Sequence, residues 1–120
     1  KILILSLEDC NINDTGLDAI STYCLHLQHL NIAYCYEISD LGIISIAENN
    51  TELCVINMRG CMEVTIEGVQ AFVKHEKLRH LTVSLSCIIP VGLFKPRVDV
   101  VVELVEGVAG YSSGGDSDYT

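Results

Sequence analysis

Short stretches in which apolar and polar residues alternate recur along this chain at nearly constant intervals. Leu5-x-Leu7, Leu30-x-Ile32, Ile56-x-Met58 and Leu81-x-Val83 each put two apolar side chains on one side of an extended segment, as a strand with one buried face does. Between them the spacing of apolar residues becomes helical, as in Leu17, Ile20 and Tyr23, or Ile43, Ile46 and Ala47, or Val69, Phe72 and Val73. The pattern predicts strands over 3–7, 29–33, 55–59 and 80–84 and helices over 14–23, 40–48 and 66–74.

The elements repeat. Ile2, Leu5 and Leu7 align with Leu27, Leu30 and Ile32, then with Leu53, Ile56 and Met58, then with Leu78, Leu81 and Val83, in steps of 25, 26 and 25 residues. Twelve apolar residues in these columns have a chance probability of roughly 10⁻⁴ at ordinary composition. Further columns agree: Cys10, Cys35, Cys61; Ile12, Ile38, Val64; Gly16, Gly42, Gly68; Leu17, Ile43, Val69. Just before each helix stand Asn13, Ser39 and Thr65, residues whose side-chain oxygens accept from the free N–H groups of a first turn. Asp14 and Asp40 follow, where negative charge suits the helix dipole. A glycine in a first helical turn costs up to about 1 kcal/mol of propensity, so the glycine column implies close packing between neighbouring units.

One strand and one helix every 25 or 26 residues, with the pattern L-x-x-L-x-L-x-x-C, define a leucine-rich repeat in which cysteine replaces the usual asparagine. The expected fold is an α/β solenoid, a right-handed strand–helix horseshoe with a parallel sheet on its concave face. LQHLNIAYC from Leu27 to Cys35 and LCVINMRGC from Leu53 to Cys61 carry the pattern fully, and Ile2 to Cys10 carries it with Ile first. With CYEISDLGIISIA from Cys35 to Ala47 and CMEVTIEGVQAFV from Cys61 to Val73, the chain resembles the cysteine-containing repeats of F-box/leucine-rich-repeat proteins. The resemblance covers roughly residues 1–87. Ile66 departs from it, standing where the first two units have Asp, and Ser86 takes the fourth cysteine position with Cys87 one residue late.

The predicted organisation is leucine-rich repeats over 1–87, a C-terminal cap with a strand over 88–106, and a disordered acidic tail over 107–120. Pro90 and Pro96 bracket a turn into the cap, and the alternation around Val98, Val100 and Val102 predicts its strand over 97–105. The tail has Gly, Ser and Asp but no Leu, Ile, Met or Phe. The first strand follows Lys1 at once, so the chain reads as part of something longer with an apolar edge on that strand.

Residues flanking the inward apolar positions point to the other face of the sheet. Its expected columns are Ile4, His29, Val55, His80; Ser6, Asn31, Asn57, Thr82; and Glu8, Ala33, Arg59, Ser84, with Asp9, Tyr34, Gly60 and Leu85 beside them. A merely solvated sheet would carry mostly long charged side chains. This one offers His29, Asn31, Tyr34, Asn57, Arg59, His80 and Thr82, residue types suited to a protein partner, with Tyr34 and Arg59 as outward-facing anchors.

Charge narrows the choice. Seven Lys and Arg against 16 Asp and Glu give a net charge of −9, unlike proteins that neutralise phosphates, so no nucleic-acid partner is expected. The imbalance lies mostly in residues 1–58, at −7, so an acidic partner would favour the second half. No apolar run reaches the roughly 18 residues of a membrane span. No catalytic motif stands out, so no enzyme activity and no cofactor are expected. His26 and His29, and His75 and His80 in a polar link, read as surface histidines and not as metal ligands. The periodic cysteines read as small buried hydrophobes, most or all six reduced, with Cys54 the most reactive thiol and Cys24 matching Asn50 and Glu76 at the helix ends.

The family resemblance implies a substrate-recruiting region of a cullin-RING ubiquitin-ligase receptor, cytoplasmic or nuclear. It would hold a protein substrate on the concave face and reach the ligase adaptor only through an F-box upstream of these residues. Two other readings stay open: a stand-alone repeat scaffold without an F-box, such as a mitotic-exit antagonist of similar type, and a secreted or receptor ectodomain, suggested by the sequons at Asn13 and Asn49.

Overall fold

A computed structural model describes residues 3–84 and 89–103. Leu85, Cys87 and the predicted acidic tail lie outside the described residues. Strands β1 (Leu3–Ser6), β2 (Leu27–Asn31), β3 (Val55–Asn57), β4 (His80–Ser84) and β5 (Asp99–Glu103) lie in chain order, and every neighbouring pair is parallel. Helices α1 (Asp14–Tyr23), α2 (Asp40–Asn49) and α3 (Ile66–Gln70) connect the first four strands and pack side by side. This is the α/β repeat solenoid that the period of 25 and 26 residues predicts.

The core fills the space between sheet and helices. Leu30, Ile32, Ile56, Met58, Leu81 and Val83 from the sheet side meet Leu17, Ile43, Ile46, Val69 and Phe72 from the helices, all buried. The register puts Leu5, Leu30, Ile56, Leu81 and Val100 in one inward column. On β1 Ile4, which belongs to the outward column with His29, is 62% exposed and Leu3 36%.

Side chains tie each unit to the next. Asn13, Ser39 and Thr65 cap the three helices as their residue types require. Asp14 does more than favour its own helix: its carboxylate accepts from Ser39 N at 2.8 Å, Ser39 Oγ at 2.5 Å and Gly42 N at 3.1 Å, all at the start of α2. Asp40 repeats this for α3, accepting from Thr65 N at 2.7 Å and from Thr65 Oγ1. Two members of the glycine column are thereby explained, since a Cβ on Gly42 or Gly68 would lie 2.5 Å from the Asp14 or Asp40 carboxylate oxygen, whereas one on Gly16 would meet Ile12 Cγ1 of its own unit at 2.8 Å. At Gly42 and Gly68 the neighbour is mainly a side chain of the preceding unit. The series stops at Ile66, which has no carboxylate to offer, and no fourth helix follows among the described residues.

The cysteine column works likewise. Cys35 Sγ donates to Leu7 O at 3.0 Å and Cys61 Sγ to Ile32 O at 3.1 Å, so stacked cysteines bond the carbonyls of the preceding unit and not one another. The five described cysteines are all free thiols. Cys10, on the open first unit, is exposed and reaches only Glu8 O at 3.7 Å. Burial pushes the Cys61 thiol up to about 12 and raises Cys35 as well. A neutral Cys61 thiol therefore favours the fold fully below its ordinary value of 9.0, and that contribution is lost as pH rises toward 12. Between those values the unfolding midpoint is expected to fall more steeply for the wild type than for Cys61→Ala. At pH 8, alkylation of the folded protein is expected to label Cys10, Cys24 and Cys54 and to spare Cys35 and Cys61, as peptide mass mapping would show.

Helix ends form a third series, and here the expectations need correction. Asn50 Nδ2 donates to Cys24 O at 2.7 Å, His75 Nε2 to Asn50 O at 2.8 Å, and Arg97 Nη2 to His75 O at 3.5 Å. His75, not Glu76, is thus the partner of Cys24 and Asn50 in this column. It is buried and not on the surface, because its ring is needed inside to meet that carbonyl. The chain reaches this position by tightening: after Gln70 the bonds run over three residues, as in Phe72 N to Val69 O and His75 N to Phe72 O, so α3 ends four residues before the expected 74.

Candidate protein-binding face

The concave columns fall where the repeat places them. Ile4, His29, Val55, His80 and Asp99 are register partners across all five strands, and so are Ser6, Asn31, Asn57, Thr82 and Val101. His29, Asn31, Asn57 and Thr82 are half-buried and His80 is exposed. Strands β2 and β3 stop at Asn31 and Asn57, short of 33 and 59. There each asparagine Oδ1 accepts from the backbone N–H two residues on, Ala33 N and Arg59 N, both at 3.0 Å, in place of a ladder partner. Asn31 also gives its amide to Glu8 at 3.2 Å. The two asparagines therefore shape the face and still present one edge to it.

The next column is not uniformly exposed. Ala33 and Ser84 are buried, so Glu8, Arg59 and Glu103 stand out with small residues between them. Ser84 Oγ accepts from Gly60 N, and because Ser84 has no longer side chain, Arg59 Nη1 reaches over it to Glu103 Oε1 at 2.6 Å. The hydrogen bond to that carboxylate, followed by the electrostatic attraction of the Tyr34 hydroxyl, raises the Arg59 guanidinium further above its ordinary value. The guanidinium carbon lies 5.3 Å from the centre of the Tyr34 ring, and Tyr36 meets Tyr34 edge-on at 6.4 Å.

Tyr34 has φ 61°, a left-handed conformation that a bulky residue adopts rarely. Gly60, also left-handed at φ 80°, makes room for it: a Cβ there would meet Tyr34 Cδ1 at 2.5 Å. Tyr34 and Arg59 are consequently half-buried partners of one another and not free, outward-facing anchors. Asp99, Glu103 and Tyr36 join this site without having been expected from the repeat columns. The first two alternate with inward valines on β5 and become visible once β5 is put in register with β4, where His80 pairs with Asp99 at 3.2 Å. Among the described residues no cluster of three or more His, Cys, Asp or Glu could hold a metal, and no helix is long and apolar enough to cross a membrane.

The comparisons with known proteins agree with this geometry. A family model described as leucine-rich repeat matches residues 1–21 and 23–47, the first two units. The chain is a leucine-rich-repeat solenoid, and such a face of stacked strands makes it a protein-binding repeat region. One curated relative, the F-box protein MAX2 homolog A of Petunia hybrida, is 25% identical over 120 residues, 86% of this chain and 17% of that protein. The chain thus spans a small part of that relative's length, and its repeats are similar to those of an F-box/leucine-rich-repeat protein.

Proposed function

We propose that these repeats recruit a protein substrate to an SCF-type cullin-RING ubiquitin ligase for ubiquitin-dependent catabolism, and that they bind without catalysing a reaction. The observation that carries the reading is the concave sheet itself: five stacked strands whose central outward residues, His29, Asn31, Val55, Asn57, His80 and Thr82, are not long charged side chains. The relative's being an F-box protein supports the ligase context. The adaptor would be met through an F-box elsewhere in the full-length protein, and any ubiquitin transfer would be the work of partner subunits. The protein would act in the cytoplasm or nucleus, where the cysteines remain thiols. Asn13 and Asn49 support the secreted alternative poorly, since Asn13 is occupied in capping α1 and Asn49 bonds Ser21.

The ligase part is tested by affinity purification of the full-length protein. The cullin-RING adaptor and scaffold are expected to co-purify. If targets are recovered without any ligase component, the protein is a stand-alone interaction scaffold.

A further inference from the structure

Arg59 is the one lysine or arginine in the concave columns of the described residues, and it is already occupied. Glu103 reaches it from β5 across the intervening strand β4, so the face carries a carboxylate of its own in the position that a bound partner would take. The arrangement around it is built to hold a guanidinium in place. Tyr34 lies against the cation in a disfavoured left-handed conformation, and Gly60 leaves space for the ring. The same left-handed backbone recurs one repeat earlier at Asp9, φ 60°, so that turn belongs to the repeat, and what this site adds is the Tyr34 ring under the cation. Glu103 does not exhaust Arg59: it takes Nη1, and Nε, buried beneath the guanidinium, has no hydrogen-bond partner among the described residues, so a carboxylate gripping the fork with two bonds would have to draw the guanidinium outward. Both members of the pair remain about a third exposed, at 35% and 38%, so a competitor can reach them.

We propose that Arg59, seated on Tyr34, is the recognition point for an acidic side chain of the target protein, and that Glu103 is an internal competitor which must be displaced. The inference rests on the concave face being the target-binding surface. The neighbours define the rest of the target segment. Glu8 stands two strands away from Arg59 in the same column, about 10 Å at the usual strand spacing, and its carboxylate bonds only the Asn31 amide. Asp9 is exposed beside it. A wholly acidic segment would be repelled there, so the matching segment carries one acidic residue with a basic residue about three positions away. Exchange of Glu103 for the target's carboxylate keeps Arg59 paired but leaves the Glu103 carboxylate without its cation, so Glu103 weakens binding of the acid and its removal strengthens it.

The test uses the full-length protein and two peptides, Lys-Ser-Ser-Glu-Ser-Ser-Lys and the same peptide with Gln in place of Glu, followed by the Arg59 Nε–Hε signal and by titration. The wild type is expected to bind the Glu peptide weakly. Glu103→Gln is expected to raise its affinity about tenfold and to leave the Gln peptide unchanged. Glu103→Asp, which keeps the charge on β5 but shortens its reach, is expected to act in the same direction, and Arg59→Gln to abolish the difference between the peptides. Circular dichroism and melting of each variant show that it is folded. If folded Glu103 variants bind both peptides as the wild type does, Glu103 is only a structural partner and the proposal is wrong. Should Thr82→Arg abolish target capture while Arg59→Gln and Glu103→Gln leave it untouched, the carboxylate site is likewise refuted, with target binding on the concave face intact.

Discussion

Asp14→Ala is expected to destabilise the fold by about 3 kcal/mol, because one carboxylate accepts three hydrogen bonds at the start of α2 and sits at the positive end of that helix. Its dependence on Gly42 is more informative than its size. Gly42→Ala alone should also destabilise, since the new Cβ would lie 2.5 Å from Asp14 Oδ1 and 3.0 Å from Leu17 Cδ2. With Asp14 already removed, the main obstacle is gone, and the helix propensity of Ala over Gly, up to about 1 kcal/mol, offsets what remains. Urea unfolding of the two single variants and the double variant should give a strongly non-additive cycle. Additive losses would mean that the aspartate and the glycine are unrelated features of the repeat.

Leu30→Ala is expected to cost roughly 2–5 kcal/mol, the range for emptying a buried leucine site. Leu30 is 1% exposed and lies between Leu5 and Ile56 in the inward column. For a domain whose whole stability is about 5–15 kcal/mol, that is a large share. The urea midpoint should fall accordingly, whereas Thr82→Arg, a half-buried position on the other face of the sheet, should change it by about 0.5 kcal/mol or less. A Leu30→Ala protein as stable as the wild type would contradict the register of the core.

The period, the strands and the helices were legible because apolar spacing records which side of each element is buried. Asn13, Ser39 and Thr65 announced the helix starts, since a capping oxygen acts within its own turn. Interactions between units were harder to read. That Asp14 serves α2 depends on how closely the units stack, and His75 looked like a surface histidine because its use is set by a carbonyl 25 residues earlier. On the concave face the columns were right and the availability of two members was not. Ala33 and Ser84 are small enough to be covered, and the gap above Ser84 lets Glu103 take Arg59. Nothing local to Arg59 in the sequence signals a partner 44 residues away.

On this reading the sheet face, and not the helical face, holds the target. That is tested most directly by proximity labelling in cells with the full-length protein carrying Asn57→Arg and Thr82→Arg, beside a control carrying Glu48→Arg on the exposed side of α2. The concave variant is expected to lose a set of labelled proteins that the wild type and the helix variant both retain, while labelling of the ligase adaptor is the same in all three. Loss of that set from the helix variant alone, or identical sets from all three proteins, would contradict it.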